Sequence, residues 1–414
     1  MKQPTLVPHG STLRWVLCVA VVLIFAMATG AFAQKARPTY TETILHSFTG
    51  GAKDGAAAYS PVIEDSAGNL YGTTYYGGKG DGGTVYTVTA VGTESVLASL
   101  TGFAIEPAGG LLRDPQGNLY GISTLNEVYE LSAAGQLTML KTLGGVAATG
   151  SLVMDANGNI YGTSQSGGSG KGCVGGCGFV FELTPPGNGN KKWTETVLYE
   201  FTGKGDGNTP AAGLVFDSAG NLYGTTTYGG DLTACPVPSN QIDPGCGVVY
   251  KLTPTTGGAW QESVLYSFTN APDGAFPQYG SLVMDTQGNL YGTTQAGGAK
   301  NGGAVFKVSS SGQESVLYSF TRVNGDGIFP YGGVVLDSLG NLYGTTYQGG
   351  TNNYGVVFSV SVAGVETIVH SFSGGRTDGA YPSAALVMDA QGNLYGTTEA
   401  GGTSGYGIVY KLAP

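Results

Sequence analysis

Five aspartates stand before glycine at matching places along the chain: Asp54, Asp206, Asp273, Asp326 and Asp378. Repeated loop carboxylates are the groups that bind a divalent cation or exchange a proton with a substrate. Nearby loops carry Tyr75, Tyr76, Tyr228, Tyr347, Tyr354 and Tyr406, whose amphipathic rings suit ligand contact. The functional reading is an acidic, tyrosine-dotted face for a glycan, with Tyr75, Tyr228 and Tyr347 as its aromatic candidates and weak calcium binding as its ion chemistry. The competing reading is turn chemistry, because Asp-Gly closes tight turns with no ligand at all, and the sequence favours it. Histidine is scarce. Beyond residue 33 only His46 and His370 occur, in one structural column with Ala98, Lys141, Tyr199, Tyr266 and Tyr318. A histidine-based triad or His-ligated metal is therefore not expected, and no resident cofactor is expected either. No phosphate loop, dinucleotide fingerprint or nucleophile elbow occurs in its required setting.

Cysteine usage points to an oxidising compartment. Residues 1–33 carry Lys2 and Arg14, then an apolar run from Trp15 to Ala28, then Ala31-Phe32-Ala33. That pattern predicts a signal peptide cut after Ala33 and a secreted or periplasmic protein. The run is too short for a membrane span, and no later stretch offers one. Four cysteines remain, Cys173, Cys177, Cys235 and Cys246. Of three possible connectivities, loop proximity favours 173–177 with 235–246; the second spacing does not suit zinc. A net charge of −10 and 11% charged residues exclude the phosphate-binding surface that nucleic acid needs.

These residues are positioned by a repeat. A ten-residue phrase of the form D-x-x-G-N-L-Y-G-T-T starts at Asp65, Asp114, Asp155, Asp217, Asp285, Asp337 and Asp389. Periods near 50 residues with four β-prone runs each predict an all-β, seven-bladed β-propeller over residues 34–414. Asp-x-x-Gly predicts a tight hairpin turn, and the Gly after Tyr is expected to make room for a bulky side chain of a neighbouring blade. Residues 42–48 (ETILHSF) copy a fourth strand and 407–413 (GIVYKLA) a third strand. The N-terminal strand is thus expected to close the last blade, which removes an exposed edge.

The phrase, followed by Gly-Gly and G-x-V-[YF]-K-L, resembles the GloVer tandem repeat of exported bacterial proteins. The resemblance implies export and a repeat architecture and brings no activity with it. Blade 2 departs from the pattern, since GISTLNEVYEL (121–131) lacks the Gly-Gly loop. The leading expectation is a monomeric, non-enzymatic binding or structural module, with a glycan or surface protein as partner. The alternative is a polysaccharide hydrolase or lyase using two loop carboxylates. An enzyme needs one blade with acids beyond the repeat pattern, and Glu64 in blade 1 is the best candidate, with Arg113 of blade 2 as a possible ion partner.

Overall fold

A computed structural model describes residues 39–414 apart from 103–105, 146–149, 171, 188–191, 236–243 and 324. The expected signal peptide lies outside the described residues. Each phrase folds as a turn and the strand leaving it. Asp65 Oδ1 accepts the amides of Ala67 and Asn69, both at 2.9 Å. Its Oδ2 accepts the Asn69 side chain at 3.1 Å and the Tyr71 hydroxyl at 3.0 Å. The Asp–Asn–Tyr bonding recurs in all seven copies. The phrase is therefore a self-contained turn whose Asn and Tyr both return to its Asp.

Seven four-stranded antiparallel sheets follow, one per copy. Blade 1 comprises Ile63–Glu64, Leu70–Thr74, Thr84–Val88 and Glu94–Ser99, so the strands lengthen from first to fourth. The third and fourth strands of every blade slip register at one point, for example between Val85 and Tyr86. In blade 7 the same slip falls between Ile44 and His46. Three two-residue ribbons add to the sheets, such as Gly55–Ala56 with Tyr76–Gly77. They tie the connection entering a blade to the loop after its phrase.

The two threonines of the phrase have different tasks. The first reaches across to the next blade: Thr163, Thr225, Thr293 and Thr345 donate to the carbonyls of Ala212, Pro277, Gly332 and Ala384. The second caps its own loop, as Thr74 does to Tyr76 O at 2.9 Å. Thr397 donates to Ser60 O at 3.2 Å, which joins blade 7 to blade 1.

The ring is closed. Thr41–Ser47 pairs with Ile408–Ala413 as the fourth strand of blade 7. Apolar clusters fill all seven junctions, including Phe48, Val62, Leu70, Tyr86 and Val88 against Tyr395 and Val409 between blades 1 and 7. One expectation needs correction. A Cβ on Gly72 would lie 2.4 Å from the Tyr86 hydroxyl, so the glycine clears the third strand of its own blade, not a neighbouring blade. The tyrosine or phenylalanine of the V-[YF] column crosses over its partner in the register, and only glycine admits it.

Candidate functional site

The loop face carries a cavity of about 620 Å³ lined by residues of blades 1, 2, 3, 5, 6 and 7, which places it at the axis. Two repeated positions supply much of its lining. One is the residue directly after the phrase, contributing Tyr75, Thr124, Tyr347 and Glu399. The other lies in the connection leading to the first strand, contributing Tyr59, Tyr279, Tyr331 and Ser383.

A repeated backbone clasp holds the first position. Ala57, Glu106, Thr209, Phe276, Phe329 and Tyr381 all take left-handed φ values of 55–61°. Such values cost free energy in residues other than glycine. Each carbonyl accepts the amide of the residue after the phrase, as Ala57 does from Tyr75 at 3.0 Å and Tyr381 from Glu399 at 3.3 Å. Each amide donates into the loop of the preceding blade, to Tyr406, Gly82, Cys177, Cys246, Gly302 and Tyr354. Two hydrogen bonds per residue offset the strain and lock the cavity wall to both adjoining blades.

The tyrosines form two groups. Tyr59, Tyr75 and Tyr76 meet edge to face in blade 1, with centroids 5.3 and 4.8 Å apart. Tyr279, Tyr331, Tyr347 and Tyr381 run across blades 5 to 7, ending in a stacked pair at 5.1 Å. Among the described residues, Glu399 is the sole ionisable residue of the lining other than tyrosine. It accepts the Tyr347 hydroxyl at 3.2 Å and is felt electrostatically by Tyr59. Burial pushes its carboxyl up to about 7, against the opposing hydrogen bonds of Ser383 and Tyr347. A second carboxylate, Glu106, accepts the Tyr75 hydroxyl at 2.9 Å and the Thr124 hydroxyl at 3.1 Å. Burial, then this bond, pushes Tyr75 up to about 12. The cavity thus offers aromatic faces, hydroxyls and one carboxyl poised to donate or accept a proton.

The family model for the Gloeobacter/Verrucomicrobia repeat matches residues 26–237 and 237–414. The chain belongs to that family. Among curated proteins none matches this GloVer chain in sequence. Among solved structures, a streptogramin B lyase is similar at 13% identity and a TM-score of 0.56, over 90% of this chain and 97% of its own. A gluconolactonase from Xanthomonas campestris has 14% identity and a TM-score of 0.45, over 90% of this chain and 89% of its own. A puromycin-hydrolysing peptidase from Mycobacterium tuberculosis has 10% and 0.49, over 77% and 46%. At these identities the likeness is one of fold.

In the GloVer ring the five Asp-Gly carboxylates do not line the axial cavity. Each turns back onto the fourth strand before it. Asp206, Asp273 and Asp326 accept the hydroxyls of Tyr199, Tyr266 and Tyr318 at 3.0, 2.6 and 3.1 Å. Asp54 and Asp378 face His46 and His370 instead. All five also accept the backbone amide and hydroxyl of a Thr or Ser, from Thr49 to Ser373. Tyr75 and Tyr347 do reach the cavity; Tyr228 packs edge-on against Phe276 at 5.5 Å. Glu64 is elsewhere too, beside Asp65, Asp389 and Lys411, and Arg113 sits over the Tyr71 ring at 5.5 Å rather than in an ion pair with it.

Sequence reasoning missed Glu399, Tyr59, Tyr279 and Tyr331. A signal existed for Glu399: across the seven copies the residue after the phrase reads Tyr, Thr, Gln, Thr, Gln, Tyr, Glu.

The two cystines are Cys173–Cys177 and Cys235–Cys246. They stand in the loops of blades 3 and 4 whose Cys177 and Cys246 carbonyls receive the clasp amides of Thr209 and Phe276. Disulfides fit an oxidising compartment. Among the described residues no helix is long and apolar enough to cross a membrane.

Proposed function

We propose that this is a binding propeller acting outside the cytoplasm, with a neutral glycan held in the axial cavity. One observation carries the reading: among the described residues, six tyrosines and one carboxyl line the cavity together with serine, threonine and glutamine, and no Lys, Arg or His lines it. Aromatic faces cover the apolar faces of a sugar ring, and the hydroxyls exchange hydrogen bonds with its rim. A cation-free lining on a chain of net charge −10 discriminates against anionic sugars. The volume lies within the range of about 300–1,000 Å³ common for ligand pockets. Export is proposed from the N-terminal signal pattern, and the two cystines accord with it.

A glycan array probed with and without calcium tests the reading. Neutral oligosaccharides should be retained, and Tyr347→Ala or Tyr75→Ala should weaken their binding about tenfold or more. Retention of no neutral glycan under either condition would sink it.

A second reading is favoured by Glu399 itself. A carboxyl pushed up to about 7 suits general acid–base chemistry, so the same cavity would serve a hydrolase or lyase, with Glu106, behind Tyr75 and Thr124 and outside the lining, as the second carboxylate. Turnover of a bound glycan, lost in Glu399→Gln while binding persists, would select this reading. Binding without turnover selects the first.

A further inference from the structure

Among the described residues the only histidines, His46 and His370, stand at the two junctions flanking the closing strand Thr41–Ser47. His46 Nε2 lies 3.3 Å from Asp54 Oδ1, with Glu94 of blade 1 completing the group. His370 Nε2 lies 3.4 Å from Asp378 Oδ1 and 3.8 Å from Glu42 Oε2. Within each trio the three donor atoms lie within 4.8 Å of one another. The closing strand supplies one residue to each trio, Glu42 on one side and His46 on the other. We propose that these trios are a pair of zinc sites that staple the closing strand to blade 6 and to blade 1.

Three arguments support this. Zinc bonds of about 2.0–2.2 Å in a tetrahedral site hold neighbouring donors roughly 3.3 Å apart; the histidine–carboxylate separations of His46–Asp54, His370–Asp378 and His370–Glu42 are 3.3–3.8 Å, and all donors of a trio lie within 4.8 Å. One imidazole with two carboxylates is a zinc-type donor set, whereas calcium takes six to eight oxygens. The imidazoles keep 19 and 20% of their side-chain surface exposed, which leaves access for the ion and a water as fourth ligand. Second, Oε1 of Glu42 and of Glu94 is buried and accepts no hydrogen bond. A desolvated acceptor of this kind is costly unless a cation or a proton meets it.

Third, the ring contains its own controls. At the junctions of Tyr199, Tyr266 and Tyr318, a phenol replaces the imidazole and bonds the aspartate directly at 2.6–3.1 Å. There the glutamates Glu262 and Glu314 also leave Oε1 unbonded, so the orphaned oxygen is common to these junctions and the imidazole is what differs. The histidine junctions add a nitrogen lone pair at the same place, which turns an acid pair into a ligand set. Where no Asp-Gly follows the blade, the column holds Ala98 packed against the apolar cluster between blades 1 and 2, or Lys141 paired with Glu195 at 3.3 Å.

The test uses the exported chain, stripped with chelator and titrated calorimetrically with zinc chloride. Two sites are expected. His46→Tyr and His370→Tyr each borrow the residue that the fold already accepts at three other junctions, and each should remove one site. The double variant should bind none. At zinc a hundredfold above Kd, the folded-to-unfolded ratio should rise about a hundredfold per site, seen as a higher Tm in the wild type, a smaller rise in each single variant and none in the double variant. The proposal is overturned if zinc gives neither heat nor a Tm shift, or if the double tyrosine variant binds and is stabilised like the wild type.

Discussion

At the residue scale, the two carboxylate classes respond to pH with opposite signs. Burial raises the Glu399 carboxyl above its unfolded value to about 7, so its ionisation opposes folding and its cost is fully felt above pH 7. Glu399→Gln should therefore stabilise the protein at pH 8, on the order of 2 kcal/mol at most because the cavity is open to water, and change little at pH 4. Equal effects at both pH values in thermal melts would contradict this assignment. For Asp217, burial acts upward, but hydrogen bonds from Asn221, Tyr223 and Ala219 outweigh it and hold the carboxyl below its usual range. Its contribution is present above the unfolded pKa and disappears as pH falls through the lower folded value. Asp217→Asn should cost about 1 kcal/mol at pH 7 and nothing near pH 2; a pH-independent loss would show that only the turn geometry matters. The Asp-Gly carboxylates were partly legible: Asp follows wherever Tyr or His stands in the fourth strand, and is absent after Ala98 and Lys141. Glu399 was harder to see, because its meaning depends on three other blades, 1, 5 and 6, bringing their tyrosines to the same axis.

At the element scale, repetition made the strands readable. Seven copies of one phrase average out the ambiguity of any single apolar run, and 28 sheet strands appear where the copies place them. The slip between third and fourth strands was not readable, because a bulge leaves residue types unchanged and alters only which side they face. It skips Leu45, Leu97 and their counterparts, and so turns His46 and Tyr199 toward their aspartates. The left-handed clasp was equally hidden, since Ala57, Glu106, Phe276 and Tyr381 share no side-chain chemistry. Their common feature is a pair of backbone hydrogen bonds. The glycine of the phrase can be tested directly. Gly224→Ala would place its Cβ 2.5 Å from the Tyr250 hydroxyl and 2.7 Å from the ring carbon bearing it. Overpacking there should cost about 1–3 kcal/mol, and Tyr250→Phe should not rescue it, because Phe181 and Phe306 leave the same clearance of 2.6–2.7 Å over Gly162 and Gly292. Full rescue in the double variant would mean that the hydroxyl alone, not the ring, demands glycine.

At the scale of the whole molecule, everything depends on a ring closed by one short strand. Thr41–Ser47 covers the edge of Ile408–Ala413, and Phe48, wholly buried, completes the cluster between blades 7 and 1. The same segment bears Glu42 and His46, which reach the two flanking junctions. The cystines contribute differently. They tie the loops of blades 3 and 4 to the apolar clusters in which Cys177 and Cys246 are fully buried, so Cys→Ser at all four positions should loosen the clasps to Thr209 and Phe276 and lower Tm while the ring stays folded. A truncation of residues 34–48 removes the closure itself and leaves a six-residue strand edge unpaired. Unpaired edges recruit other strands, so the truncated chain should melt earlier and associate at micromolar concentration, judged by size exclusion. A synthetic peptide of residues 39–49 added in trans should return it to a monomer by filling the vacant fourth strand. Zinc should not substitute for the peptide, since each trio loses its Glu42 or its His46 with the strand. A truncated chain that remains monomeric with an unchanged Tm, and that ignores the peptide, would show that the apolar clusters at the other junctions hold the ring without its seam.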